Sequence, residues 1–333
     1  MIVSVTDRSV VAEVRRRAAD LSAELGLGEV DAGRVAIVST ELATNLIKHA
    51  GGGDVSIARF ADCEGTGVEL LALDKGPGIA NLQGALVDGH STVGTAGGGL
   101  GAIHRTADVF AVSTSVGKGT AVLARVAAAG ATPGPANYII SAVCALYPGE
   151  TVCGDHAATK ALDRKLFVLL ADGSGHGPMA HQAAVRASEI FSEHAGAPVE
   201  QIAVSVHRAL AATRGAAIAI VEIDPDCGDG GQVRFVGVGN ISAALIEKGV
   251  VRRMVSNNGT AGHVAPRIRM FPYPFQDAPT VILHSDGLTA RWDLGAYPGL
   301  LGAHPSLIAG ILYRDYRRGR DDASVIAVRR NSV

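Results

Sequence analysis

Apolar residues recur at helical spacing in two long segments near the N terminus, Ser9 to Leu25 and Gly33 to His49. Four shorter segments that alternate or run apolar are typical of strands: VSIARF, VELLALD, VFAVSTS and TAVLARV. A third, shorter helix opened by glycines is predicted from Gly99 to Thr106. This part of the chain therefore predicts an α/β sandwich in which helices pack on a small sheet.

The pattern changes in the second half of the chain, where strands dominate. Strand-like runs include YIISAVCAL, KLFVLLAD, AAIAIVEI, QVRFVGVG, PTVILHSD and ASVIAVR. Only two segments have helical spacing, His181 to His194 and Glu200 to Ala212. The order predicts a β-sandwich flanked by helices, so the whole chain falls in the α/β (α+β) class.

Small residues and two prolines replace the periodic pattern in AAAGATPGPAN, between these halves. We therefore predict a first domain over residues 1–126, a linker over 127–136 and a second domain over 137–333. The length of 333 residues suits two cores of moderate size.

Composition narrows the classes of partner. The chain is 47% hydrophobic and 19% charged, with a formal net charge of -2. The sequence shows no polybasic run, signal peptide or apolar stretch long enough to span a membrane. This disfavours nucleic acid and membranes as partners and predicts a cytoplasmic location. Four scattered cysteines without a CxxC pair predict neither a disulfide framework nor a zinc site.

Chemistry-bearing residues of the first domain lie on the second helix and after a strand. Glu41, Asn45 and Lys48 or His49 share one helical face, and such a face by itself is more typical of the solvated side of a helix than of a site. Asp74 follows the strand VELLAL and opens DKGPGI, where glycines admit a flat ring close to the backbone. A later cluster, GGGLG, opens a helix whose unpaired N–H groups suit polyphosphate.

The ordered set ELATNLIKH, DKGPGI, GGGLG and VGKGT resembles the GHKL ATPase superfamily, and most closely its RsbT-like branch of serine/threonine switch kinases. This resemblance implies that Asn45 binds Mg²⁺ beside ATP, that Asp74 accepts the adenine amino group, and that residues 81–96 form a lid over the nucleotide. Glu41 is then the candidate proton acceptor for a serine hydroxyl. The implied nucleotide-binding set is Asn45, Lys48, Asp74, Gly76, Gly78, Gly97, Gly99, Leu100, Gly101 and Thr120.

Four aspartate motifs mark the second domain, each beside an apolar strand: GD at 154–155, DGSGHG at 172–177, SDG at 285–287 and DD at 321–322. Any one of them is typical of an ordinary turn. Carboxylates at strand ends that converge are ligands for hard divalent cations, and a pair of such ions activates water for attack on phosphate.

Together these motifs resemble the metal-dependent serine/threonine phosphatases, in their SpoIIE branch and in an RsbX-like form. The resemblance implies two Mn²⁺ or Mg²⁺ ions. Asp172 would bridge them with help from the Gly173 carbonyl, Asp155 would bind one ion, and Asp286 and Asp321 the other. The doublet leaves open whether Asp321 or Asp322 is the ligand, although the family's ending favours Asp321.

These resemblances predict an enzyme with two opposed activities, a protein serine/threonine kinase and phosphatase. The implied partner is a STAS-domain protein, either a stressosome scaffold or an anti-sigma antagonist, in a partner-switching pathway. The alternative is a phosphatase whose first domain binds a partner in a nucleotide-dependent, anti-sigma-like way without kinase turnover. A homodimer is left open.

Overall fold

The computed structural model describes residues 1–86, 99–131, 137–265 and 267–331. It divides into two compact units. The N-terminal unit comprises Met1–Gly134 and Asp293–Arg314, and the C-terminal unit comprises Pro135–Trp292 and Asp315–Val333. The short segment 293–314 therefore packs with the first half of the chain, although the sequence places it inside the second domain. No helix in the described part of the chain is long and apolar enough to cross a membrane.

The N-terminal unit is one antiparallel sheet with helices on one face, as its hydrophobic pattern predicts. The sheet has the order β1-β2-β3-β5-β4. Alternate residues of β3, including Leu70 and Ala72, pack with Val38 and Leu42 of α2 in a single core. The elements of residues 1–131 are β1 (Ile2–Val5), α1 (Val10–Glu24), α2 (Glu29–Asn45), β2 (Gly53–Asp62), β3 (Gly65–Leu73), α3 (Leu82–Leu86), α4 (Gly99–Thr106), β4 (Val109–Ser115) and β5 (Gly119–Ala127).

The other face of this sheet is covered as well. Strand β3 shows this, since it is buried along nearly its whole length. The cover is the segment 293–314, which contains most of a helix that the sequence analysis did not predict. All residues of this helix from Pro305 to Arg314 are buried. A helix buried all round has no polar face, so its sequence carries no amphipathic period. Its Gly310 faces Leu71 and Leu73, whose methyl groups lie within 2.8 Å of where a Cβ would stand.

The C-terminal unit is a sandwich of two five-stranded sheets with the orders β13-β10-β9-β8-β7 and β12-β11-β14-β15-β6. One core, which includes Phe235, Leu245 and Val281, contains residues from both sheets, and a second packs α5 and α6 on the first sheet. The fold class predicted from the sequence is thus confirmed. The remaining elements are β6 (Tyr138–Ala145), β7 (Asp155–Leu162), β8 (Lys165–Gly173), α5 (Pro178–His194), α6 (Val199–Ala209), β9 (Ala216–Asp224), β10 (Gly231–Val238), β11 (Ser242–Glu247), β12 (Val250–Met254), β13 (Phe271–Phe275), β14 (Thr280–His284), α7 (Pro305–Tyr316) and β15 (Ala323–Arg330).

A buried histidine ends β14. The indole N–H of Trp292 donates to His284 Nε2 at 3.1 Å, and His284 Nδ1 lies 2.9 Å from the Ser285 carbonyl, which assigns the neutral ring with its proton on Nδ1. Burial lowers the pKa of His284 from 6.5 to about 4. The neutral ring therefore stabilises the fold above pH 6.5, and this contribution is lost as the pH falls towards 4.

We expect acidification from pH 7 to 4.5 to lower the free energy of unfolding by about 2 kcal/mol more in the wild type than in a His284→Gln variant. Trp292, the single tryptophan of the chain, reports this unfolding by its fluorescence in denaturant titrations. An equal pH dependence in both proteins would contradict the assignment.

Candidate functional site

Two groups of side chains have the chemistry of a site, one in each unit. In the N-terminal unit the central residue is Asp74, directly after β3. Its Oδ1 accepts hydrogen bonds from the backbone N–H groups of Gly76 at 2.8 Å and Thr120 at 3.1 Å. No described residue donates to its other oxygen, Oδ2. Burial raises the pKa of Asp74, and the two backbone N–H groups oppose that effect. The carboxyl group is thus held in place with one oxygen available to a ligand.

Two glycines of DKGPGI allow the backbone to lie this close to its neighbours. A Cβ on Gly76 would stand 2.7 Å from the Cβ of Ala50, and one on Gly78 would stand 2.3 Å from the Ser115 carbonyl oxygen. Gly78 also has a φ of +74°, in the left-handed region. Thr120, on the adjoining β5, is buried and its hydroxyl lies 3.1 Å from that of Thr114.

Glu41 and Asn45 lie four residues apart on α2 and share a face of it. Neither side chain forms a hydrogen bond or ion pair with any residue that the structure describes. The helix then widens into a π-helical turn, Leu46–Ala50, a feature that is frequent at functional sites. This turn breaks the regular spacing expected for Lys48, which is exposed. The next residue, His49, lies near enough to Asp74 for its charge to favour the carboxylate.

The glycine-rich helix start is α4, which begins at Gly99 as predicted. Leu100 and Gly101 follow in its first turn, and Gly101 is buried. Gly97 and residues 87–96 of the predicted lid lie outside the described residues.

In the C-terminal unit the aspartates of the first two motifs stand side by side. Asp155 is the first residue of β7 and is paired in register with Asp172, near the end of β8. A cavity of about 490 Å³ is lined by the carboxyl groups of Asp172, Asp286 and Asp321. Asn240, which the sequence analysis did not select, also lines it and donates from Nδ2 to Asp286 Oδ2. Its only sequence signal is its place in the turn GVGN after β10.

Asp155 is 3% exposed, and neither of its carboxyl oxygens has a hydrogen-bond partner among the residues that the structure describes. The Ser285 and Ser324 hydroxyls lie near enough to favour its charged form, but not in hydrogen-bonding geometry. Burial, with repulsion from Asp322 and Asp321, raises the pKa of Asp155 to about 7. Burial and repulsion from Asp155, Asp286, Asp321 and Asp322 raise the pKa of Asp172 to about 9.

A buried carboxyl without a partner, surrounded by other carboxyl groups, is unfavourable unless it is protonated or cations neutralise the charge. These residues therefore fit a divalent metal centre. Within the described ranges no group of three such side chains is already arranged to hold one ion.

The two members of the final doublet differ in their contacts. Asp322 is buried, and its oxygens accept from the backbone N–H groups of Tyr147 at 2.8 Å and Gly154 at 3.0 Å. Asp321 faces the cavity, and burial together with the charge of Asp286 raises its pKa. The backbone N–H of Gly173 donates to the Gly154 carbonyl at 3.1 Å. This hydrogen bond links the first two aspartate motifs.

Comparison with known proteins supports a separate assignment for each half of the chain. Residues 4–126 match the histidine kinase-like ATPase domain, and residues 162–331 match Stage II sporulation protein E (SpoIIE). The chain is 36% identical over 119 residues to the serine/threonine-protein kinase RsbT of Bacillus subtilis (strain 168), covering 36% of this chain and 89% of RsbT. It is 26% identical over 141 residues to the phosphoserine phosphatase RsbX of the same organism, covering 42% of this chain and 69% of RsbX.

Solved structures agree. A structure described as the bacterial stressosome, a modular system adapted to control secondary messenger signaling, has a TM-score of 0.52 and 26% identity, over 58% of this chain and 99% of that one. RsbX in complex with magnesium has a TM-score of 0.50 and 20% identity, over 58% of this chain and 94% of that one, which shows a shared fold. The chain therefore belongs to the SpoIIE family through residues 162–331 and to the RsbT-like family of histidine kinase-like ATPase domains through residues 4–126.

Proposed function

We propose that this chain is a bifunctional protein serine/threonine kinase and phosphatase that acts on STAS-domain partners in a partner-switching pathway. The observation that carries the proposal is the presence, in one chain, of a unit similar to the kinase RsbT and a unit similar to the phosphatase RsbX. The solved relative described as a stressosome supports a stressosome scaffold as the partner. An anti-sigma antagonist is the other STAS-domain candidate.

In the kinase reaction, Asp74 would accept the adenine amino group on its unoccupied Oδ2, and Gly76, Gly78 and Thr120 would form the surrounding wall. The first turn of α4 offers unpaired N–H groups to the phosphates, which the helix dipole also favours. Asn45 would hold Mg²⁺, which when bound neutralises charge on the phosphates. Glu41 would take the proton from a serine hydroxyl, a role for which its carboxylate is free among the described residues.

In the phosphatase reaction, Asp172 would bridge two Mg²⁺ or Mn²⁺ ions with the Gly173 carbonyl, Asp155 would bind one of them, and Asp286 and Asp321 the other. Bound ions supply a water of lowered pKa for attack on phosphorus. The protein's part is to hold the carboxylates converged in a cavity that admits a phosphorylated side chain. The amide of Asn240 orients Asp286 from the second layer.

The proposal is tested by incubating the full chain with γ-labelled ATP, Mg²⁺ and a STAS-domain protein encoded near its gene. Label should enter serine or threonine of that protein and be released again when Mn²⁺ is added after ATP is removed. Loss of phosphate from a partner phosphorylated beforehand, without any transfer of label from ATP, would favour the alternative, in which the N-terminal unit binds a partner in a nucleotide-dependent way. If the chain neither transfers phosphate to any STAS-domain protein nor removes it from one, the proposal is contradicted.

Asparagine substitutions in the final doublet should separate ligation from support of the fold. We expect Asp321→Asn to weaken Mn²⁺ binding by about tenfold or more while leaving the metal-free protein equally or more stable, because a repelling charge is removed. Asp322→Asn should instead lower the stability of the metal-free protein by about 1 to 3 kcal/mol, because its amide would direct N–H at a backbone N–H. Calorimetric Mn²⁺ titration and thermal unfolding in chelator distinguish the two. The reverse pattern would make Asp322 the ligand.

A further inference from the structure

The main chain of Asp74 is held by a residue that lies 240 positions later. Arg314 Nη1 donates to the Asp74 carbonyl oxygen at 2.8 Å. Arg314 is 7% exposed, and its Nη2 also donates to Tyr297 Oη at 3.3 Å. Its charge is one of those that favour the carboxylate form of Asp74. A buried guanidinium therefore fixes the residue whose side chain we assign to adenine.

A second contact reaches the same wall of the pocket. Lys118 lies in the turn between β4 and β5, two residues before Thr120. Its Nζ donates to the Ala296 carbonyl at 3.1 Å and lies 5.1 Å from the centre of the Tyr297 ring. Residues 293–314 thus contact both the DKGPGI turn and the VGKGT turn, the two loops that surround the proposed adenine position.

The middle of this segment is held by a network of buried charges. Arg125 is fully buried and forms ion pairs with Asp62, Glu64 and Glu69. Two residues of the segment join this network: Ser306 Oγ donates to Glu69 at 2.6 Å, and His304 Nε2 lies 3.1 Å from Glu64. Polar contacts in a low-dielectric interior require good geometry, so they specify one position for the helix.

The same segment interrupts the chain between two proposed metal ligands. The residues that flank it come together in the C-terminal unit, where Leu288 and Arg317 form an isolated antiparallel bridge and the Arg318 N–H donates to the Gly287 carbonyl at 2.7 Å. The bridge begins two residues after Asp286 and ends four residues before Asp321. The segment is therefore joined at both ends to main chain that lies close in sequence to both carboxylates.

We propose that Arg314 is a positioning residue of the nucleotide pocket, and that the segment 293–314 makes nucleotide binding and the metal-dependent phosphatase reaction interdependent. This inference rests on the proposed function and adds its regulation, which two opposed activities on one chain require if ATP is not to be consumed uselessly. Because coupling between binding sites is reciprocal, nucleotide should change metal affinity by the same factor as metal changes nucleotide affinity.

The positioning role is tested on the full chain with ADP, which binds without phosphoryl transfer. We expect Arg314→Gln to weaken ADP binding by about tenfold, the loss of one charged hydrogen bond. Arg314→Lys should restore part of that affinity, because an ammonium can still donate to the Asp74 carbonyl. Arg59→Gln removes an exposed arginine of β2 in the same unit and is the matched control. Unchanged ADP affinity in folded Arg314→Gln protein would overturn the role.

If Arg314→Gln does not fold, Lys118→Ala takes its place, because Lys118 is exposed and its loss leaves the core intact. It should weaken ADP binding several-fold, and wild-type affinity in this variant would then count against the segment's part in the pocket.

The coupling is tested by hydrolysis of p-nitrophenyl phosphate at a buffered free Mn²⁺ concentration. Saturating ADP should change the rate or the Mn²⁺ dependence of wild type by about fivefold or more. Inosine diphosphate is the control, since it chelates Mn²⁺ through the same diphosphate but lacks the amino group that Asp74 would accept. In Arg314→Gln the effect of saturating ADP should be reduced several-fold.

Equal wild-type rates with and without bound ADP would overturn the coupling while leaving the proposed function intact. A wild-type chain that binds ADP but hydrolyses no phosphate ester would instead count against the phosphatase assignment.

Discussion

Asp172→Asn is expected to reduce phosphatase activity by about 10³-fold or more, equivalent to about 4 kcal/mol of transition-state stabilisation. Asp172 is the residue at which the charges of four other aspartates converge, and their repulsion together with burial raises its pKa to about 9. Under the roles proposed above, loss of this charge should weaken the binding of both ions. The rate is measured on a phosphoserine peptide at saturating Mn²⁺.

The same substitution should raise the thermal stability of the metal-free protein at pH 7, because folding raises the pKa of the Asp172 carboxyl at a cost in free energy that an asparagine amide does not carry. Asp163→Asn is the matched control: Asp163 is exposed in the β7–β8 turn with a φ of 52°, a conformation that asparagine adopts readily. Substantial phosphatase activity in Asp172→Asn protein would contradict the assigned bridging role. Kinase activity measured in the same preparations should remain, which separates this result from unfolding.

Glu41→Gln is expected to reduce phosphoryl transfer to the STAS-domain partner by about 10² to 10⁴-fold, the usual contribution of a general base. The change preserves shape and half-burial but removes the proton acceptor. Nucleotide affinity should stay within about twofold of wild type, because adenine is assigned to Asp74 and Mg²⁺ to Asn45. Transfer of labelled phosphate and equilibrium binding of ADP give the two measurements.

Glu29→Gln, in the exposed first turn of α2, is the matched control and should transfer phosphate at the wild-type rate. Undiminished transfer by Glu41→Gln would place the proton acceptor elsewhere. If neither wild type nor variant transfers phosphate, yet nucleotide still controls binding of a partner, the N-terminal unit is a binding module, as in the alternative function.

Much of the secondary structure and many of the motifs could be predicted from the sequence, because they depend on residues that are close together in the chain. The periods of α1, α2 and α5 predicted helices, and the glycines before Leu100 predicted where α4 begins, since backbone preference and one-sided burial act over a few residues. Each aspartate motif stands beside a strand, and the sequence therefore indicated that the carboxylates can converge. Membership of the two families is likewise a property of ordered motifs, and the comparisons confirm it.

Other features depend on contacts between distant residues, and no local pattern reports them. The helix α7 is buried on all sides and has no polar face, so its sequence shows no period. Asp321 and Asp322 are chemically identical neighbours, and they are distinguished by distant contacts, such as those of Asp322 with Tyr147 and Gly154. Asn240 likewise became a candidate site residue only through a distant contact, its hydrogen bond to Asp286.

The sequence by itself thus determined the two kinds of fold, the identity of the candidate acids and their chemistry. The tertiary structure decided that residues 293–314 pack with the N-terminal unit and that Arg314 holds Asp74. The physical reason is that the energy of a buried ion pair or helix contact depends on which distant groups meet it, and that information is absent from the spacing of residues along the chain.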